Sequence, residues 1–160
     1  HHLVRVEGLV ERTLEEVSHH LLDPRDAARP AHEHDLVALR DRLVAAGHEV
    51  FLPQEQEHDA KTPELTFRND VVHVDWSDAL VAIMDGEDPD SGTCWEVGYA
   101  YAKGKPIVMI RTDFRSWGEP SDPYNLMLTQ SATLRYELPI AEMATVERTV
   151  LDALASLPKR

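Results

Sequence analysis

The chain has 160 residues, 42% of them hydrophobic, and its 29 acidic side chains against 16 basic ones give a formal charge of −13. That length fits one compact domain whose core needs no staples, and the single Cys94 permits no internal disulfide, which points to a reducing, cytoplasmic setting. The negative balance argues against nucleic acid or an anionic membrane as partner, and no apolar run is long enough to span a bilayer.

His1 and His2, with no initiator Met, read as the remnant of an affinity tag and are set aside. The N-terminal segment, residues 1–34, is the least regular stretch. Leu9 to Val17 reads as a helix, and Ser18 to Pro24 is the strand-like candidate for a first strand. "HEHD" (His32 to Asp35) lacks the i, i+4 histidine spacing of a helical metal site. Residues 35–160 are expected to form the remainder of a single domain.

From Asp35 to Ala46, Leu36, Leu39, Leu43 and Val44 mark a helical stripe that Gly47 ends. His48 to Pro53 reads as a strand stopped by proline, and Gln54 to Thr66 as a polar loop. A helix over Phe67 to Ser77 follows, then the buried strand Ala79 to Met84. "DGEDPDSG" (Asp85 to Gly92) is a strong turn signal, with Ser91 as the expected N-cap of a helix running to Lys103. Gly104 stops that helix before a second buried strand, Pro106 to Arg111. A loop to Tyr124, a short helix near Asn125 to Gln130, a strand over Ala132 to Glu137 and a closing helix over Ile140 to Leu157 complete the series.

Short continuous apolar strands alternating with helices argue for a parallel sheet covered on both faces. The expected fold is therefore α/β: a flavodoxin-like, doubly wound, parallel five-stranded sheet with helices on both faces. Ligands in such folds sit beyond the carboxyl ends of the strands. Three stretches gather there: the loop after Met84, the start of the helix carrying Glu96, and the loop after Arg111.

Glu96 is the acid of interest. A carboxylate in the first turns of a helix is kept ionised by the dipole and by nearby N–H groups. Held rigidly in a crevice, it is able to attack an electrophilic carbon. The competing reading is a solvated surface group that caps or pairs. Asp70 on the preceding helix and Asp90 in the loop bring further carboxylates toward the same end. Pairs of acids with separated roles are the machinery of glycosyl transfer. Cys94, two residues from Glu96, faces another side of the helix and reads as a packed thiol. Arg111, Asp113 and Arg115 read either as residues that close over the site or as surface ion pairs.

These residues resemble the nucleoside 2-deoxyribosyltransferase family. The likeness rests on Asp90, five residues, then Glu96-Val97-Gly98-Tyr99-Ala100; on Asn69-Asp70 with Asp78 beyond it; on Asn125-Leu126-Met127; and on the Gly104-Lys105-Pro106 turn leading into Ile107 to Ile110. It spans roughly residues 36–137. The family usually opens with a strand and a Gly-rich turn that line the base pocket, and this chain has no such motif.

The resemblance implies an enzyme that cleaves and re-forms the N-glycosidic bond of 2′-deoxynucleosides, without metal or cofactor. Glu96 would be the nucleophile and Asp70 the general acid and base toward the nucleobase. Asn69, Asp90 and Gly92 would line the substrate site, with Asp90 accepting a bond from a sugar hydroxyl. Asn125 and Met127 would reach a neighbouring subunit's site, which implies a homo-oligomer, dimer or higher. An Asp at position 90 repels a phosphate dianion, so a free nucleoside and a free base are the expected partners. Two alternatives share this framework: a nucleoside or nucleotide N-glycosidase using the same glutamate, and a catalytically inactive nucleoside-binding module.

Overall fold

The structure, a computed structural model, describes residues 2–5, 33–55, 62–86, 88–114 and 123–158. The elements in chain order are β1 (His2–Arg5), α1 (Glu33–Ala45), β2 (Glu49–Phe51), α2 (Pro63–Trp76), β3 (Ala79–Ile83), α3 (Ser91–Ala102), β4 (Ile107–Arg111), α4 (Leu126–Thr129), β5 (Leu134–Glu137) and α5 (Met143–Ser156).

The strands pair in the order β2-β1-β3-β4-β5. β3, β4 and β5 are parallel, with Leu80 opposite Ile107 and Val108 opposite Leu134. The expectation of a uniformly parallel sheet fails at β1, which pairs antiparallel with both β2 and β3. The strand also lies where none was expected. His2, set aside as a tag remnant, opens it, and Leu3 faces Phe51 on one side and Leu80 on the other. The helix expected over Leu9–Val17, the strand expected over Ser18–Pro24, and His32 fall outside the described residues.

The pleat sorts the strand residues between two cores. Leu80, Ala82 and Met84, with Ile107 and Met109, pack beneath α2 and α3 through Val74, Val97 and Ala100. Ala79, Val81, Val108 and Ile110 face the other way onto α1 and α5, meeting Leu39, Leu43, Val146 and Val150. Helices thus cover both faces, and burying each leucine contributes about 2 kcal/mol.

The start of α2 corrects the sequence reading, which left Gln54 to Thr66 as loop. Thr62 caps the helix, its side chain accepting from the Leu65 N–H at 3.4 Å, and Pro63 fills the first helical position. A proline there loses no bond, because that N–H has no intrahelical partner.

Candidate functional site

The loop that leaves β3 turns at Gly86, whose φ of +103° lies where side chains are disfavoured. A Cβ there would also stand 3.1 Å from the Asp88 carbonyl oxygen. The loop then reaches α3 through Pro89 and Asp90. Asp90, not Ser91, is the N-cap: its Oδ2 accepts the Thr93 N–H at 2.9 Å and the Thr93 hydroxyl at 3.3 Å. Asp and Ser are equally good caps, so sequence alone placed the boundary one residue late. Gly92 serves this cap. A Cβ at that position would come within 3.0 Å of the same carboxylate oxygen.

Two turns on, Glu96 is 6% exposed. Thr93, Glu96, Val97 and Ala100 are all buried, the i, i+3, i+4, i+7 stripe of a helix face turned toward the sheet. The reading of Glu96 as a solvated surface cap therefore fails. A carboxylate among Val97, Ala100 and the core beneath them is in a costly position for a group with no task.

Asp70 and Asn69 are half-buried on α2. The main-chain oxygen of Asn69 accepts from the ring of His73 at 2.8 Å. α2 and α3 lie side by side and run in the same direction. Phe67 meets Trp95 edge to face at 5.3 Å between centroids, and Trp95 stacks on Tyr99 at 5.3 Å. Further along, the Tyr99 hydroxyl donates to Asp75 at 3.2 Å, and the Lys103 ammonium reaches the same carboxylate at 2.8 Å. Lys103 holds the Asp75 carboxyl below its usual range and is itself pushed up in turn. Asp70 falls between these two contact points, three residues after Phe67 and five before Asp75, on the helix that adjoins the one bearing Glu96.

At the carboxyl ends of β3 and β4 the two loops are tied together. Asp85 accepts the Thr112 N–H at 2.6 Å and the Asp113 N–H at 3.0 Å, and the Gly86 N–H donates to the Asp113 carboxylate at 3.1 Å. Arg111 is buried, which excludes the surface ion pair that the sequence left open; Arg115 lies outside the described residues. Cys94 is half-buried, and burial together with Asp88 and Asp90 pushes its thiol above the ordinary value. It stays protonated at neutral pH and is a poor nucleophile.

Asn125 caps α4, its Oδ1 accepting the Met127 N–H at 2.9 Å. Leu126 and Met127 then project outward, Met127 being 73% exposed. None of the seven expected site residues lines the open cleft of about 610 Å³ along the β2 edge, which is lined by His48 and by residues of α1, β2 and α2, among them Phe51, His73 and Trp76. Among the described residues, no three His, Cys, Asp or Glu side chains are grouped to hold a metal ion.

The family model for nucleoside 2-deoxyribosyltransferases matches residues 25–130. The chain belongs to that family. A nucleoside deoxyribosyltransferase of Limosilactobacillus fermentum is 37% identical over 68 residues, 42% of this chain and 39% of the relative, so the match spans well under half of that protein. A 2-deoxyribosyltransferase of Bacillus psychrosaccharolyticus superposes with a TM-score of 0.53 at 30% identity, covering 75% of this chain and 87% of that one. The 2-desoxiribosyltransferase of Leishmania mexicana (TM-score 0.54, 22% identity, 76% and 93% coverage) and the CMP N-glycosidase of Clostridium botulinum (TM-score 0.55, 18% identity, 76% and 89% coverage) share the fold. The stretch from Asn69 to Ala100 that carries most of the resemblance lies wholly inside the matched region. Asp85 and Tyr124, which meet Thr112 and Arg111 beside these loops, were not singled out in the sequence, whereas Arg111 was read as closing over the site or pairing at the surface. The sequence signal of Asp85 and Arg111 is a charge directly after one apolar run and another at the end of the next.

Proposed function

We propose that the chain is a nucleoside 2-deoxyribosyltransferase that works through a glycosyl-glutamate. The observation that carries this reading is the buried Glu96 on the sheet-facing stripe of α3, beside the helix bearing Asp70. The Glu96 carboxylate attacks the anomeric carbon as the bond to the base breaks, and the bonding electrons leave on the base nitrogen. Asp70 delivers a proton to the base, which is otherwise a poor leaving group. An ester now links Glu96 to the sugar. An incoming base gives its proton to Asp70 and attacks the same carbon, the ester bond breaks, and two inversions leave the configuration retained.

Asp90 has committed Oδ2 to the helix cap, so Oδ1 is the oxygen that meets a sugar hydroxyl. Asn69 and Gly92 border the same space. Asn125 and Met127 extend to the site of a second copy, which makes the working form a homo-oligomer; Leu126 and Met127, exposed in the single chain, are the apolar surface that such an assembly covers. The reaction uses no metal or cofactor and belongs to cytoplasmic nucleotide salvage.

Mixing the protein with deoxyinosine and adenine tests the proposal. New deoxyadenosine, with kcat lowered about 1,000-fold or more in Glu96→Ala, is the expected result. Free deoxyribose with no exchanged nucleoside would mean that water is the acceptor and the chain is an N-glycosidase. No turnover of any nucleoside, with binding retained, would leave an inactive binding module.

A further inference from the structure

Arg111 ends β4, is 2% exposed, and has no part in the chemistry above. A guanidinium stripped of water needs acceptors from the protein. Arg111 finds them on the neighbouring loop, donating to the main-chain oxygens of Met84 and, at 2.8 Å, of Gly86. Its planar group also lies 5.4 Å from the ring centre of Tyr124, the residue before the Asn125 cap. Tyr124 is buried, and its hydroxyl lies 3.6 Å from the Met109 sulfur, so the ring is a fixed wall and not a swinging one.

The grip is reciprocal. Arg111 on the β4 side holds two carbonyls of the β3 loop, while Asp85 in that loop holds Thr112 and Asp113 on the β4 side. Two carbonyls two residues apart suit the forked, planar donors of arginine. A lysine ammonium is a point donor on a flexible stem and lacks that fork. The loop so held leads into Pro89, the Asp90 cap and the first turns of α3.

We propose that Arg111 is a positioning residue for the site: it fixes the Met84–Gly86 loop and thereby the start of α3, so that Glu96 and Asp90 keep one spacing. The inference rests on the reading of Glu96 as the nucleophile.

The test compares the full-length wild type with Arg111→Lys and Arg111→Met, well below each protein's melting temperature. Amide hydrogen exchange is followed at Asp85, Gly86 and Gly92–Glu96, with α5 as the internal reference, alongside base exchange between deoxyinosine and adenine. In Arg111→Lys, protection at those amides is expected to fall about 10-fold with α5 unchanged. The kcat is expected to fall about 100-fold, the scale of a 1 Å misplacement, with a smaller change in KM. Arg111→Met should lose both by at least as much. Wild-type protection and a kcat within about two-fold of wild type in Arg111→Lys would overturn the proposal. So would a loss of protection that extends equally to α5, which marks a general stabiliser. Loss confined to the named amides, in a protein whose wild type turns over no nucleoside, would uphold the positioning of the loop and refute the transferase reading.

Discussion

The two sides of the sheet are built differently. On one side, β3 and β4 pair in parallel with apolar side chains buried toward both helical layers, and their exit loops are cross-tied by Asp85, Arg111 and Asp113. On the other, β1 and the edge strand β2 pair antiparallel through three residue pairs, and an open cleft runs along the β2 edge. Glu96 and Asp90, the residues proposed to carry the chemistry, belong to the first side. Rigid support and candidate function coincide, as expected where reacting groups must be held within a fraction of an ångström.

The largest effect expected from breaking this contrast comes from the tight side. Met109 is fully buried between α3 and Tyr124, and Met109→Ala should lower stability by about 2 to 5 kcal/mol in denaturant titration. A smaller loss would mean that the core beneath the site relaxes more than its packing implies. Asp90→Ala removes the α3 cap and should lower stability by about 1 kcal/mol, measured the same way. Asp90→Asn keeps a cap acceptor, so comparing the two separates capping from any role toward substrate.

The smallest effect lies on the open side. Burial lowers the pKa of His48, and its Nδ1 is enclosed without a hydrogen-bond partner. A histidine whose folded pKa is depressed contributes stability above its unfolded value, near 6.5, and loses it as the pH falls through the folded value. The melting temperature should therefore drop on acidification below about pH 6.5, and by less in His48→Gln. An equal drop in both proteins would place the acid sensitivity elsewhere.

The same contrast governs how much could be read in the sequence. β3, α3 and β4 were legible because continuous apolar runs and a helical stripe are local signals, and Gly104 punctuates them. The helix start at a strand end drew attention to Glu96, and the family resemblance gave it and Asp70 their expected roles, but only packing revealed that Glu96 is buried. α2 was read as starting four residues late, because Leu65 and Phe67 are exposed and blur the stripe that periodicity relies on. β1 was missed since a strand of four residues has no periodicity to speak of, and its direction is set by partners about 45 to 80 positions away. Arg111, a charge after four apolar residues, was read as closing over the site or as a surface ion pair, and its burial was not visible. Nothing local says that its side chain reaches the carbonyls of the loop leaving β3.

The seam between α2 and α3 has the geometry of a lever pinned at one end. Asp75 is fastened to Tyr99 and Lys103 by hydrogen bonds and an ion pair, whereas towards the other end Phe67 meets Trp95 edge to face. Five residues separate the pin from Asp70, an arm of about 7.5 Å, so a tilt of roughly 8° swings that carboxylate by about 1 Å. Such a tilt would change the gap between Asp70 and Glu96, and it would have to carry Val74, which packs against the sheet one residue from the pin.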